Sequence, residues 1–127
     1  MKNALIISLV IATLFIIADR SASAGEVDIT VSPKVINLAS ASTVVTVHTD
    51  IVYTMVDGST VELNGILIDW WKSDSRGYFV AKFQANAVKG IVKPGTTANL
   101  TLTGEIKLGV TFIGMDEVDV IDAKQKR

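Results

Sequence analysis

A chain of 127 residues has room for one folded domain. Twelve Lys and Arg stand against thirteen Asp and Glu, for a formal net charge of −1, and both signs are scattered. That leaves no basic field to hold phosphate backbones and argues against nucleic-acid binding. Cysteine is absent, which excludes disulfides, thiolate metal sites, thiol nucleophiles and lipid attachment through an N-terminal cysteine.

Lys2 supplies a positive start, and Ala4 to Ala18 forms an apolar run shorter than the roughly 20 residues of a comfortable membrane span. Asp19 and Arg20 end that run, and Ala22 and Ala24 fit the small-residue pattern cut by signal peptidase. Residues 1–24 are therefore expected to be a cleaved, helical signal peptide, with a domain over 25–122 and a polar tail over 123–127. Without cysteine pairs, the better expectation is a bacterial or archaeal protein that is secreted, periplasmic or at the cell surface. No membrane association is expected once the leader is removed.

From Gly25 onward, apolar and polar residues alternate over short runs separated by turn formers, the period of half-buried strands. Val27, Ile29 and Val31 begin a first strand that Pro33 splits or sends across sheets before Val35 and Ile36 resume. Thr43 to Thr49 is almost wholly β-branched and reads as a central strand, with Val45, Val47 and Thr49 on one face. Asp57-Gly58 predicts a turn. Asn64-Gly65 predicts a second and tighter one, because both residues tolerate positive φ.

Ile66 to Trp71 and Tyr78 to Phe83 are expected to form a hairpin around the loop Lys72 to Gly77. Setting Trp71 opposite Tyr78 also places Trp70 against Phe79, Ile68 against Ala81 and Ile66 against Phe83, giving one wholly apolar face. Ala85 to Val92 carries a weak helical signal, closed by Pro94-Gly95. Ala98 to Thr103 and Val110 to Ile121 predict the last strands, with Gly104 to Gly109 between them. About seven strands with turns every 8 to 12 positions predict an all-β, immunoglobulin-like β-sandwich, with a small barrel as the alternative.

Five runs carry a resemblance: Thr43–Ile51 (TVVTVHTDI), Gly58–Ile66 (GSTVELNGI), Arg76–Phe83 (RGYFVAKF), Gly95–Gly104 (GTTANLTLTG) and Phe112–Ile121 (FIGMDEVDVI). Together they resemble an immunoglobulin-like module that recurs in secreted bacterial and archaeal proteins, over nearly all of the chain after the leader. The resemblance lies in strand and turn signatures. It implies an architecture and brings no catalytic residues with it.

Adjacent residues of a strand point to opposite faces, so Trp70 is assigned to the core with Ile66 and Ile68, and Trp71 to the outer face. There it would stand near Tyr78, Asp69 and Lys82, an aromatic platform beside polar groups that could anchor a protein or stack on a sugar. Leu67 and Val80, joined by Ile113 and Met115, would extend this face into an apolar patch suited to a protein partner or self-association.

Other candidates are weaker. Asp116, Glu117, Asp119 and Asp122 lie near the last strand, and Asp50, Asp57, Asp69 and Asp74 lie in or beside loops, but none matches a calcium-binding loop. His48 has no thiolate or clear carboxylate partner for zinc, and no G-x-S-x-G elbow occurs. Neither a metal site nor a cofactor is expected. The expected function is non-catalytic: cell-surface structure, adhesion or protein assembly, with carbohydrate binding as the alternative.

Overall fold

The computed structural model describes residues 25–124. The expected leader, residues 1–24, and the end of the expected tail lie outside this range. Ten strands follow in chain order: β1 (Gly25–Glu26), β2 (Ile29–Ser32), β3 (Val35–Asn37), β4 (Val44–Val52), β5 (Val56–Leu63), β6 (Ile66–Leu67), β7 (Trp70–Ser73), β8 (Tyr78–Gln84), β9 (Thr96–Ile106) and β10 (Thr111–Ile121). A 3-10 turn, Tyr53–Met55, joins β4 to β5, and a short helix α1, Ala85–Lys89, follows β8.

The strands form two sheets. One has the order β2-β4-β8-β7; the other has β1-β10-β9-β5-β6, with β3 also on β10. Val31, Val45, Val47, Phe79, Ala81 and Phe83 from the first sheet meet Val61, Leu63, Leu100, Leu102, Phe112 and Val118 from the second in one core. An all-β chain of two facing sheets is thus the observed architecture.

Pro33 acts as expected: β2 belongs to the smaller sheet and β3 to the larger, so the first strand changes partner there. Asp116 on β10 bridges this crossing. Its carboxylate accepts the Val31 N–H at 2.8 Å and the Lys34 ammonium at 2.6 Å. On β4 the residues Val45, Val47 and Thr49 face inward, as their alternation requires. Thr49 is polar and buried, but its hydroxyl donates to the Phe79 carbonyl at 2.7 Å. Asn64 and Gly65 both adopt positive φ and reverse the chain between β5 and β6.

The middle of the chain departs from expectation in three ways. First, Asp57-Gly58 makes no turn. It lies inside β5, where the register against β9 shifts between Asp57 and Glu62. There the Thr60 hydroxyl donates to the Asp57 carbonyl and accepts the Glu105 N–H, filling the gap in the ladder. Second, Ile66 to Trp71 is not one strand. The Ile68 N–H donates to Val61 of the larger sheet, whereas the Asp69 N–H donates to Lys82 of the smaller, so the chain changes sheets between neighbours.

Third, the β7–β8 register differs from the expected one. Trp70 pairs with Lys82, Trp71 with Ala81, Lys72 with Val80 and Ser73 with Phe79. The cause is a tighter turn: Asp74 Oδ1 accepts the N–H groups of Arg76 and Tyr78, so the reversal occupies Asp74 to Gly77 alone. The connection between β9 and β10 is likewise shorter than predicted. Gly104 stays in β9, packed so closely that a β-carbon there would lie 2.7 Å from the Phe112 ring.

Candidate functional site

Strand β7 carries the two tryptophans, and the register just described exchanges their predicted faces. Trp71 shares the inward side with Ala81, and its indole covers Gly58 of β5 so closely that a β-carbon at Gly58 would overlap the ring. It nevertheless remains 38% exposed, because β7 is an edge strand. Trp70 stands on the outer face, 46% exposed. The assignment of Trp70 to the core and Trp71 to the outer surface is therefore corrected. Ser73-Asp74-Ser75-Arg76-Gly77 held the missed signal: an Asp able to cap the turn locally fixes where pairing begins.

Around Trp70 the outer face of the smaller sheet is aromatic and cationic. Lys82 Nζ lies 5.5 Å from the Trp70 ring centroid and donates to Thr46 Oγ1 at 2.9 Å. The Arg76 guanidinium lies 5.3 Å from the Tyr78 ring centroid. Lys72 and His48 flank Val80 from the neighbouring strands. Burial, and then repulsion from Lys72, holds the Lys82 ammonium below the usual lysine range. Among the described residues the one ion pair is Lys34–Asp116, so Lys72, Arg76 and Lys82 have no carboxylate partner. Asp74 is nearby, but its carboxyl is turned into its own turn. The Tyr78 N–H, against the opposing effect of burial and with help from Arg76, holds it below its ordinary value.

Of the predicted residues, Tyr78, Val80 and Lys82 do share this face, all on β8. Val80, however, is fully buried beneath its neighbours and offers no contact surface. Leu67 is exposed on β6 of the other sheet. Its outward row, through Glu62 and Thr103 to Ile113, is interrupted by polar side chains, so the predicted joint apolar patch does not form. Asp69 is exposed where the chain changes sheets, beside a polar groove of about 440 Å³ that Ser42, Gln84 and Asn86 also line.

Trp71 lines a different groove, of about 400 Å³, between the two sheet edges. Tyr53, Thr54, Asp57 and Lys107 complete it. Tyr53 is braced from behind by Phe79, with ring centroids 6.3 Å apart.

The acidic residues do not converge. Glu117 and Asp119 are exposed on the outer face of β10, and Asp116 is engaged in the crossing between sheets. There burial opposes ionisation, but hydrogen bonds from Lys34 and Val31 outweigh it and hold the carboxyl below its ordinary value. Among the described residues, no group of three or more His, Cys, Asp or Glu could hold a metal ion. No helix among them is long and apolar enough to cross a membrane.

Compared with known proteins, the chain matches no family model, no curated protein and no solved structure.

Proposed function

We propose that this chain is an exported, non-catalytic, immunoglobulin-like module that binds an acidic protein partner at the cell surface through Trp70, Tyr78, Lys72 and Lys82. The strand orders support the immunoglobulin-like reading. β2-β4-β8-β7 follows the A-B-E-D order, and β10-β9-β5 follows G-F-C, with β6 as an added edge. Val45, Val47, Leu100 and Leu102 fill the space that a disulfide occupies in many such folds. The leader-like residues 1–24 support export.

The observation that carries the binding reading is a half-exposed tryptophan set among cations that lack carboxylate partners. Exposed aromatic side chains anchor protein interfaces, unpaired cations steer an oppositely charged partner, and a carboxylate from outside is what this set lacks. A photo-crosslinking residue at position 70, in cells that export the protein, is expected to yield an adduct with one extracytoplasmic protein. The same residue at position 117, on the other sheet, should not. Equal labelling from both positions, or a product retained in the cytoplasm with residues 1–24 intact, overturns the reading.

The Trp71 groove favours a second reading, carbohydrate binding. An indole and a braced tyrosine lie there beside a carboxylate, an ammonium and a hydroxyl, the groups that stack on and hydrogen-bond a sugar ring. Glycan binding that quenches tryptophan emission and is lost in Trp71→Ala, but kept in Trp70→Ala, would select it.

A further inference from the structure

A sheet edge offers main-chain hydrogen bonds to any extended chain that reaches it. Most edges of this fold are closed or short. On β2 the Asp116 carboxylate takes the Val31 N–H, and Pro33 follows the strand at once. β1 and β6 have two residues each, and β3 has three. The part of β5 beyond β6 is irregular, and the Ile68 N–H already occupies its Val61 carbonyl.

β7 differs. It ends the order β2-β4-β8-β7, with no strand on its far side and all four residues exposed. The Asp74 N–H donates to the Tyr78 carbonyl at 2.9 Å, in step with the pairing of Lys72 with Val80 and Trp70 with Lys82. In an antiparallel ladder every second residue turns its N–H and C=O toward its partner, so Trp71 and Ser73 turn theirs away from β8. Among the described residues no other segment supplies a hydrogen-bond partner for those four groups.

The side chains select the guest. Trp70 and Lys72 stand on the outer face of β7, with the Lys82 ammonium 5.5 Å from the Trp70 ring centroid. The neighbouring carboxylates leave this charge unpaired. Asp74 accepts hydrogen bonds within its own turn, Asp69 lies past Trp70 beside the polar groove, and Asp50, two strands away on β4, accepts the Asp28 N–H. A second copy of this chain is the wrong guest. Symmetric pairing of β7 about Lys72 sets two lysines face to face, and a shifted register still gathers Lys72 and Lys82 of both copies.

We propose, resting on the reading that the partner is acidic, that it is held as a fifth strand of the smaller sheet: an extended segment pairs antiparallel with Trp71 and Ser73 and sets a carboxylate opposite Lys72. Main-chain bonds to a free edge supply the attachment, and alternate side chains supply the choice of guest. Lys72 then occupies a non-hydrogen-bonded pair, where opposing side chains lie closest. An edge lysine ordinarily keeps other strands away; here the same charge admits an acidic strand and refuses a basic one.

The core closes within residues 25–124, so residues 25–127 are the test object. The probe is a blocked octapeptide of alternating threonine and glutamate, which puts every carboxylate on one face of a strand. On its addition the Trp71 and Ser73 amides should gain protection from hydrogen exchange, while those of Trp70 and Lys72, already turned to β8, should not change. N-methylation of the threonines, whose N–H groups would face β7, should abolish binding; N-methylation of the glutamates should be tolerated. Ser73→Pro removes the outward N–H and one exposed hydroxyl contact, suits an edge strand, and should abolish binding with little change in thermal unfolding. Lys72→Glu should weaken binding about fivefold or more, and the threonine–lysine counterpart should not bind. Binding that survives Ser73→Pro or threonine N-methylation but falls in Lys72→Glu overturns strand addition and leaves the acidic-partner reading standing. A peptide that the wild type ignores also overturns strand addition, while the crosslink at position 70 still decides the other reading. Protection of the Trp71 and Ser73 amides by a dimer formed without peptide overturns it in favour of a second copy.

Discussion

The β9–β10 hairpin and the stretch from β5 to β8 are built from the same kinds of residues, yet they solve the problem of burial differently. The hairpin is one continuous antiparallel ladder of ten residue pairs from Thr111↔Glu105 to Val120↔Thr96. The middle stretch bulges between Asp57 and Glu62, leaves the larger sheet at Ile68, enters the smaller one at Asp69 and reverses at Asp74. In the hairpin, each side chain's face follows from its neighbour in sequence. In the middle stretch it follows from what the opposite sheet leaves open, and Trp71 filling the space above Gly58 is the clearest case.

If these regions share one core, removing a large buried side chain from either should weaken the whole. Leu102→Ala in the ladder and Phe83→Ala in β8 are each expected to cost about 2–5 kcal/mol and to leave a single unfolding transition. Urea titrations followed by tryptophan emission and by far-UV circular dichroism check this; transitions that separate in Phe83→Ala alone would make the middle stretch an independently unfolding unit.

Gly58→Ala sharpens the contrast. The added methyl must expel the Trp71 indole, at about 1–3 kcal/mol and with a red shift in emission. In a Trp71→Ala background the same substitution should cost far less, and a double-mutant cycle measures the difference.

Asp116 joins the ladder to the first strand, and Asp116→Ala should cost about 1–2 kcal/mol, chiefly by leaving the buried Val31 N–H without an acceptor. The Lys34 half of the contact is more than half exposed and adds little. Because the folded carboxyl titrates below its unfolded value, its contribution is complete above about pH 4 and is lost as pH falls through the lowered folded pKa. Unfolding midpoints measured from pH 6 down to pH 2 should therefore draw closer for wild type and variant, the remaining gap being the Val31 N–H that only the variant leaves without an acceptor.

The smallest expected effect is at the candidate face. Lys72→Ala should change stability by less than about 0.5 kcal/mol but move the Lys82 ammonium back toward the ordinary lysine range, a shift visible in its NMR titration. An unmoved Lys82 would leave burial as the whole cause of its depression.

The candidate site was only partly legible. Tyr78 and Lys82 were placed on one face because both lie on β8, where alternation is enough. Trp70 and Trp71 were exchanged because strict alternation puts two adjacent tryptophans on opposite faces without saying which face meets the core. That choice followed from the turn, and a loop assumed to begin at Lys72 rather than Asp74 changed the register by an odd number of residues and so inverted every face on β7. Val80 failed for another reason: it points outward by parity, yet His48 and Lys72 flank it from both sides.

By itself the sequence determined that the chain is all-β, that Pro33 ends one pairing and begins another, that Asn64-Gly65 reverses the chain, and that Val45 and Val47 lie together inside. These are local consequences of fixed φ, of tolerance for positive φ and of two-residue periodicity. Only the tertiary structure decided which sheet each short strand joins, why Gly58 lies within a strand, and which tryptophan reaches solvent. Each of those depends on contacts between segments distant in sequence, where one indole and one missing β-carbon must occupy the same space.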